Sequence, residues 1–234
     1  MTGPQVNGRI VSLQVGLPRT TRTADGREWR TAIVKAPADG RVRLGPENLD
    51  GDFQANRKHH GGPDKAVCGY SAEHYPGWRR LLGIDLPFGA FGENVTVEGM
   101  TEDAVCIGDV FATAPAGAGV LVQVSQPRQP CANISKRWDR PDLPRRMEES
   151  GRTGFYLRVV RQGDLAAGDA LVLAERPHPG WTLERCNALM YGDGISSGTE
   201  REEIAALRAL DALSAEWKRI LGRKLQRRGA GEDA

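Results

Sequence analysis

Cys131 is the residue whose neighbours best equip it to act as a nucleophile or a soft-metal ligand. It closes the run Gln123 to Cys131 (QVSQPRQPC), in which an apolar strand gives way to a loop braced by Pro127 and Pro130. Proline fixes φ and removes conformational freedom, so the thiol is carried on a stiff support just ahead of a helix predicted to begin at Ala132. A helix N-terminus and nearby Arg128 both favour thiolate over thiol. The other three cysteines keep different company. Cys68 (AVCGY) and Cys106 (AVCIG) lie in apolar stretches and Cys186 in a helical tail, where cysteine packs as a small hydrophobe. With no Cys-x-x-Cys pair among the four, the pattern is neither a disulfide framework nor a tetrahedral zinc site, and a reducing, cytoplasmic compartment is expected.

Three further segments carry polar chemistry. Lys58 to Val67 (KHHGGPDKAV) sets two of the four histidines beside a glycine pair. Glycine lets the backbone approach a ligand, and His, Lys and exposed amides offer donors to phosphate or oxo groups; a flexible loop with incidental histidines accounts for the same residues equally well. His59 and His60 are adjacent, so at most one is expected to enter a site, and neither has a His or Cys partner at zinc-binding spacing. His74 and His178 read as surface or packing residues. Phe88 to Asn94 (FGAFGEN) ends in a consecutive acid and amide: Glu93 is expected to fasten the loop, while Asn94 either fastens backbone or binds a polar ligand. Arg152 to Val160 reads as a barrel strand whose start, at Thr153 and Gly154, is able to complete a pocket. No P-loop, G-x-G-x-x-G or G-x-S-x-G element occurs.

These segments must be positioned by a mainly β framework. Short β-branched runs separated by Gly, Pro and Asp predict strands at Gly8 to Val15, Arg30 to Lys35, Ala66 to Tyr70, Asn94 to Glu98, Val110 to Thr113, Val120 to Ser125, Phe155 to Val160 and Ala170 to Leu173. So many short strands suggest a closed or nearly closed β-barrel. Gly-Asp pairs at 51–52, 108–109 and 168–169 read as tight turns. Ser71 is expected to cap a helix toward Leu82, and Pro141 to Ser150 to form a short helix stopped by Gly151. The composition shifts near Ala174, which divides residues 1–174 from a tail, 175–234, predicted to hold helices at Thr182 to Met190, Thr199 to Ala212 and Ser214 to Arg227. Thr199 and Glu202 have capping-box spacing, and Trp217, Ile220, Leu221 and Leu225 share one helix face, expected to pack on the barrel.

A chain of 234 residues is long enough to bury a sizeable core. Its 32 basic and 30 acidic residues leave a formal charge of +2, which gives no support to nucleic-acid binding. Arg219, Arg223, Lys224, Arg227 and Arg228 cluster near the C-terminus, but the tail balances its basic and acidic residues, so a solvated helix end is the expectation. The N-terminus has no secretion-signal pattern and no run approaches the roughly 18 apolar residues of a bilayer span, so no membrane role is expected.

Taken in order, HGG-x-DKAV (60–67), FGEN (91–94), IGDVF (107–111) and QVSQPR-x-PC (123–131) resemble the MOSC family, named for the C-terminal domain of molybdenum cofactor sulfurase, and most closely its YiiM-like bacterial branch. The resemblance covers about residues 8 to 174, and the tail is similar to that branch's three-helix domain. It implies a fold of mixed class with β dominant, a MOSC-type β-barrel with short helices plus a small C-terminal three-helix domain. It also implies molybdopterin held with Cys131 as the molybdenum ligand, suited by soft thiolate chemistry. Lys58, His60, Lys65, Asn94 and Arg128 are the candidate cofactor-binding residues, cations and N–H donors being matched to anionic oxygens. The implied activity is oxygen removal from small N-hydroxylated bases and related compounds. Electrons would come from a separate reductase, since no flavin or iron–sulfur motif is present. A carrier of sulfur, as a Cys131 persulfide, or of the cofactor itself is the alternative.

Overall fold

The computed structural model describes residues 7–113, 119–192 and 197–226. β1 (Asn7–Val15) is followed by the hairpin β2 (Arg19–Arg22) and β3 (Glu28–Thr31), then by short β4 (Ala36–Pro37) and β5 (Val42–Leu44). A single helical turn, α1 (Arg57–His60), and a 3-10 turn (Pro63–Lys65) lead into β6 (Val67–Ser71). A second 3-10 turn (Ala72–His74) and α2 (Tyr75–Leu82) cross to β7 (Val95–Glu98). β8 (Val110–Thr113) and β9 (Leu121–Pro127) precede α3 (Ala132–Trp138) and α4 (Leu143–Ser150). β10 (Phe155–Arg161), β11 (Gly163–Leu165) and β12 (Ala170–Glu175) follow, then α5 (Leu183–Tyr191), α6 (Gly198–Ala209) and α7 (Ala215–Gln226).

Seven strands close a barrel in the order β1-β7-β6-β10-β9-β8-β12, with β12 pairing back to β1. Every pair in the ring is antiparallel except β6–β7, whose crossover carries α2. Alternate strand residues, among them Ile10, Val97, Phe111, Val122, Val124 and Leu157, fill the interior. The same apolar cluster runs on into the tail through Leu183, Cys186, Ile204, Leu207, Trp217 and Leu221, so the three helices pack on the barrel as their apolar faces predict. A second cluster, Tyr70, Tyr75, Trp78, Phe91, Ile134 and Met147, lies under α2, α3 and α4, with the Tyr70 and Phe91 rings stacked at 4.4 Å.

The three Gly-Asp pairs are turns with positive φ at Gly51, Gly108 and Gly168. Asp109 and Asp169 bond amides of their own turns, at Cys106 and Ala166. Asp52 instead accepts from the Gly16 amide at 2.9 Å and pairs with Lys35, so this turn fastens one side of the cleft described below.

Several local expectations are corrected. The Arg30 to Lys35 run is not a strand: β3 ends at Thr31 and the backbone then leaves the sheet. Here the Ile33 amide turns to Thr31 Oγ1 (3.1 Å) and its carbonyl accepts from Arg137 (2.7 Å), so neither group is available to a neighbouring strand. Ser71 does not cap α2; its hydroxyl donates to Glu73. Ser197, not Thr199, caps α6, its Oγ accepting from the Glu200 amide at 3.2 Å, and that helix ends at Ala209 because Leu210 turns extended. Arg227 and Arg228 lie outside the described residues.

Candidate functional site

The end of β9 and the start of α3 make a corner at Arg128 to Cys131. Arg128 is still tied to the barrel, its amide donating to Gly154 O at 2.9 Å. Cys131 occupies the N-cap position of α3 with extended backbone, and its carbonyl accepts the first helical bond, from Ile134 N. Its thiol makes no capping bond, so the sulfur is left for other use. The residue is half-buried and lies in the wall shared by two adjoining cavities of about 510 and 390 Å³. His60, Lys65 and Tyr156 also line both.

The larger cavity is lined by Arg30, Lys35, Arg57, Lys65 and Arg128, with no carboxylate among its described lining residues. Asp52 pairs with Lys35 from behind and Glu47 with Arg57 at 2.8 Å. Arg128 is the notable cation. It is 5% exposed, one guanidinium nitrogen (Nη2) donates to Phe91 O at 2.6 Å, and the other (Nη1) is buried with no partner. Burial opposes its charge, yet the acidic groups of Cys68, Tyr156 and Cys131 around it raise its pKa on balance, so it stays a guanidinium.

His60 behaves differently. Burial, followed by the charges of Arg128, Lys65 and His59, lowers its pKa to about 4. At neutral pH its ring is uncharged, with one N–H to donate and one nitrogen to accept. Because the unfolded imidazole protonates near pH 6.5 and the folded one near 4, stability is retained above that window and falls as pH drops through it. In the metal-free protein the His60 ring resonance is expected to titrate near pH 4, and Lys65→Met should move the midpoint upward. A native midpoint near 6.5 in an NMR titration would contradict this account of the site.

The remaining predicted residues divide. Lys65 is buried beside the Tyr156 ring, donates to His59 O at 2.6 Å and pairs with Glu216 of α7. Asn94 lines the larger cavity, but its side chain is engaged in fastening: Oδ1 accepts from Cys68 N at 3.1 Å and Nδ2 donates to Gln14 O at 3.3 Å. Cys131, His60, Lys65, Asn94 and Arg128 are therefore brought together. Lys58 is not: it is exposed, lies outside both cavities and lines a depression that adjoins the smaller one through Lys65, Gln126 and Glu216. Residues two apart on a helical turn point roughly 200° apart, which separates Lys58 from His60. His59 lines the smaller cavity, so both adjacent histidines touch the cleft.

Glu93 fastens the 88–94 loop as expected, accepting from the amides of Gly89 (2.8 Å) and Phe91 (3.1 Å) and the hydroxyls of Thr96 (2.9 Å) and Tyr75. Thr153 and Gly154 do not reach either cavity; they bond Asn187 and Glu102. Cys68, read as packing, is buried but also lines the larger cavity, and burial pushes its thiol pKa up. Sequence reasoning missed Tyr156, Lys35, Gln126 and Glu216. A Gln two residues past Val124 inside a barrel strand was a local signal for one of them; the others carry none.

The MOSC domain model matches residues 56–172, half of the chain, with Cys131 inside it. The chain belongs to the MOSC domain family. A second model, the YiiM-like 3-alpha helix domain, matches residues 181–228 of this MOSC protein. It is 41% identical over 218 residues to the uncharacterised protein YflK of Bacillus subtilis, covering 93% of this chain and 95% of that one. It is 37% identical over 189 residues to a protein of Gibberella moniliformis named Reductase, covering 80% of this chain and a third (33%) of that longer one. The crystal structure of YiiM from Geobacillus stearothermophilus superposes with a TM-score of 0.75 at 34% identity, over 93% of this chain and 99% of that one. MOSC domains are associated with molybdenum cofactor binding in general. Among the described residues no helix is long and apolar enough to cross a membrane.

Proposed function

We propose that this MOSC protein holds the molybdenum cofactor, molybdopterin, through the Cys131 thiolate and reduces N-hydroxylated bases or related compounds with electrons from a separate reductase. The observation that carries the reading is the position of Cys131 between two cavities, one of them lined, among the described residues, by five cations and no carboxylate. The residues fit an anionic, oxygen-rich group: Arg128 lines the larger cavity with one buried guanidinium nitrogen unsatisfied, and a thiolate is an apt ligand for a soft metal. The relative named Reductase supports a redox role.

When bound, the cofactor supplies two-electron chemistry, by which an N–OH group, two electrons and two protons give an N–H group and water. The chain contributes ligation and proton control. Cys131 would hold the metal from its proline-braced corner, and Arg128 and Lys65 would fix the anionic oxygens by charge-assisted bonds. His60, neutral at pH 7, can donate from one ring nitrogen and accept a proton at the other. Stoichiometric molybdenum in freshly purified protein, with loss of hydroxylamine that depends on an added reductase, is the expected result. Metal-free protein that instead accepts sulfane sulfur on Cys131 would replace this reading with the sulfur-carrier one, and stable metal without turnover would replace it with the cofactor-carrier one.

A further inference from the structure

Phe53, 39% exposed, stands in the wall of the larger cavity, and Leu17, 63% exposed, comes from the strand end bonded to it. The Phe53 amide donates to Gly16 O at 3.0 Å and the Gly16 amide to Asp52 Oδ1 at 2.9 Å, so the two backbones are clasped where these side chains leave them. Single apolar residues scattered over a surface are ordinary. A fixed pair at the mouth of a reaction cleft is instead the kind of apolar centre about which a partner docks.

The rim around this pair is cationic. Residues 17–35 and 132–140, which carry the β2–β3 hairpin and α3, hold eight basic residues against three acidic ones, Asp25, Glu28 and Asp139, in a chain whose totals are 32 and 30. The two segments meet beside the cleft: Arg137 donates to Ile33 O at 2.7 Å, and Lys136 Nζ lies 5.4 Å from the centre of the Trp29 ring. Asp25 is paired with Arg27 at 2.8 Å and Glu28 with Arg22 at 3.1 Å. Arg19, Arg30 and Lys136 are exposed, and among the described residues no carboxylate pairs with them. Arg57 sets its guanidinium over the Phe53 ring at 5.3 Å. An apolar centre ringed by cations fits an acidic protein surface.

We propose that Leu17 and Phe53, with Arg19, Arg30 and Lys136 around them, form the docking face for an acidic electron-transfer protein that carries its flavin or iron–sulfur cluster near its surface. A protein seated there covers the opening of the cavity whose wall includes Cys131, so its redox group is brought to the reaction centre without entering the fold. The proposal rests on the reading of this chain as a reductase supplied with electrons from outside. A one-electron donor docks twice for each substrate: two donors are oxidised as N–OH, two electrons and two protons give N–H and water. Repeated docking calls for quick release, which suits a small patch, since electron-transfer encounters bury less area than stable complexes.

The test uses purified full-length protein with a flavodoxin and a plant-type ferredoxin, both acidic, as probes. By calorimetry at least one should bind, with affinity that falls by about tenfold or more as ionic strength rises from about 0.01 M to about 0.1 M. Leu17→Ser, and Arg19→Glu combined with Lys136→Glu, should each weaken binding by roughly tenfold. Arg161→Glu combined with Arg223→Glu, an equal change in net charge away from the cleft, should leave most of it. Leu17, Arg19 and Lys136 line neither cavity, so turnover of an N-hydroxylated substrate with reduced methyl viologen, which needs no docking face, should hold at the native rate while turnover with the reduced probe protein falls. Failure of both probes to bind, binding indifferent to salt, or equal loss in the distant pair would overturn the docking face. Turnover with viologen under those outcomes leaves the reductase reading standing; binding that follows the three residues without turnover from either donor removes that reading and leaves the face.

Discussion

Cys131→Ala is expected to yield folded protein that no longer retains molybdenum and has no reductase activity. The side chain is half-buried at a helix N-cap and makes no capping bond, so its removal should leave the melting temperature nearly unchanged. Metal retention should respond far more. Removing an outer residue that only orients a ligand weakens metal affinity by roughly 10- to 100-fold, and deleting the ligand itself should exceed that range. Elemental analysis of native and variant protein prepared side by side reads the result. Molybdenum retained at native stoichiometry in the variant would remove Cys131 from the ligand role. Cys68→Ala serves as the contrast: that thiol lines the same cavity but is kept protonated by burial, so metal content should survive.

The largest loss of stability is expected for Glu93→Ala. This fully buried carboxylate accepts from two amides and two hydroxyls, and the substitution strands all four donors inside the protein. A buried donor left unpaired costs about 1–3 kcal/mol, so stranding several here is expected to cost about 3–5 kcal/mol in all. In a chain of this size that corresponds to a fall in Tm of roughly 10 °C. Glu93→Gln, which keeps one acceptor oxygen, should lose distinctly less. The effect reaches the cleft because the loop that Glu93 organises presents the Phe91 carbonyl to Arg128. The same loop turns at Gly92, φ 80°, where a Cβ would stand 2.5 Å from an Ile33 side-chain carbon. A melt that leaves Glu93→Ala within 1–2 °C of native, within the small effect typical of an uncoupled surface change, would show that the loop is held by something else.

Cys131 and Glu93 were legible in the sequence because the information is local: two prolines brace one, and two Phe-Gly pairs announce the other. The barrel was legible for the same reason, from short apolar runs punctuated by Gly-Asp turns. What escaped came from separate segments. Nothing beside Tyr156 marks it as a cleft wall, and Glu216 reaches Lys65 across 151 positions. Arg30 to Lys35 misled because an apolar run, Ala32-Ile33-Val34, has strand composition while its backbone is bonded to side chains instead of a neighbour. The Asp25-Gly26 turn, with φ of 83° at the glycine, was a readable hairpin signal that the strand assignment overlooked.

The ring of seven strands is closed by β1 and β12 through three register pairs, Asn7↔Val172 to Arg9↔Ala170, whereas β10 and β9 share six. Counting either way round, that seam lies three strands from β10, which carries Tyr156. The pairing of β10 with β6 is as short, Phe155↔Gly69 to Leu157↔Val67, and it sets Tyr156 beside Cys68 in the cleft wall. Backbone amides along the seam and between β6 and β10 should therefore exchange with solvent deuterium before those shared by β9 and β10, so the strand that leads to Cys131 is the firm side of the ring.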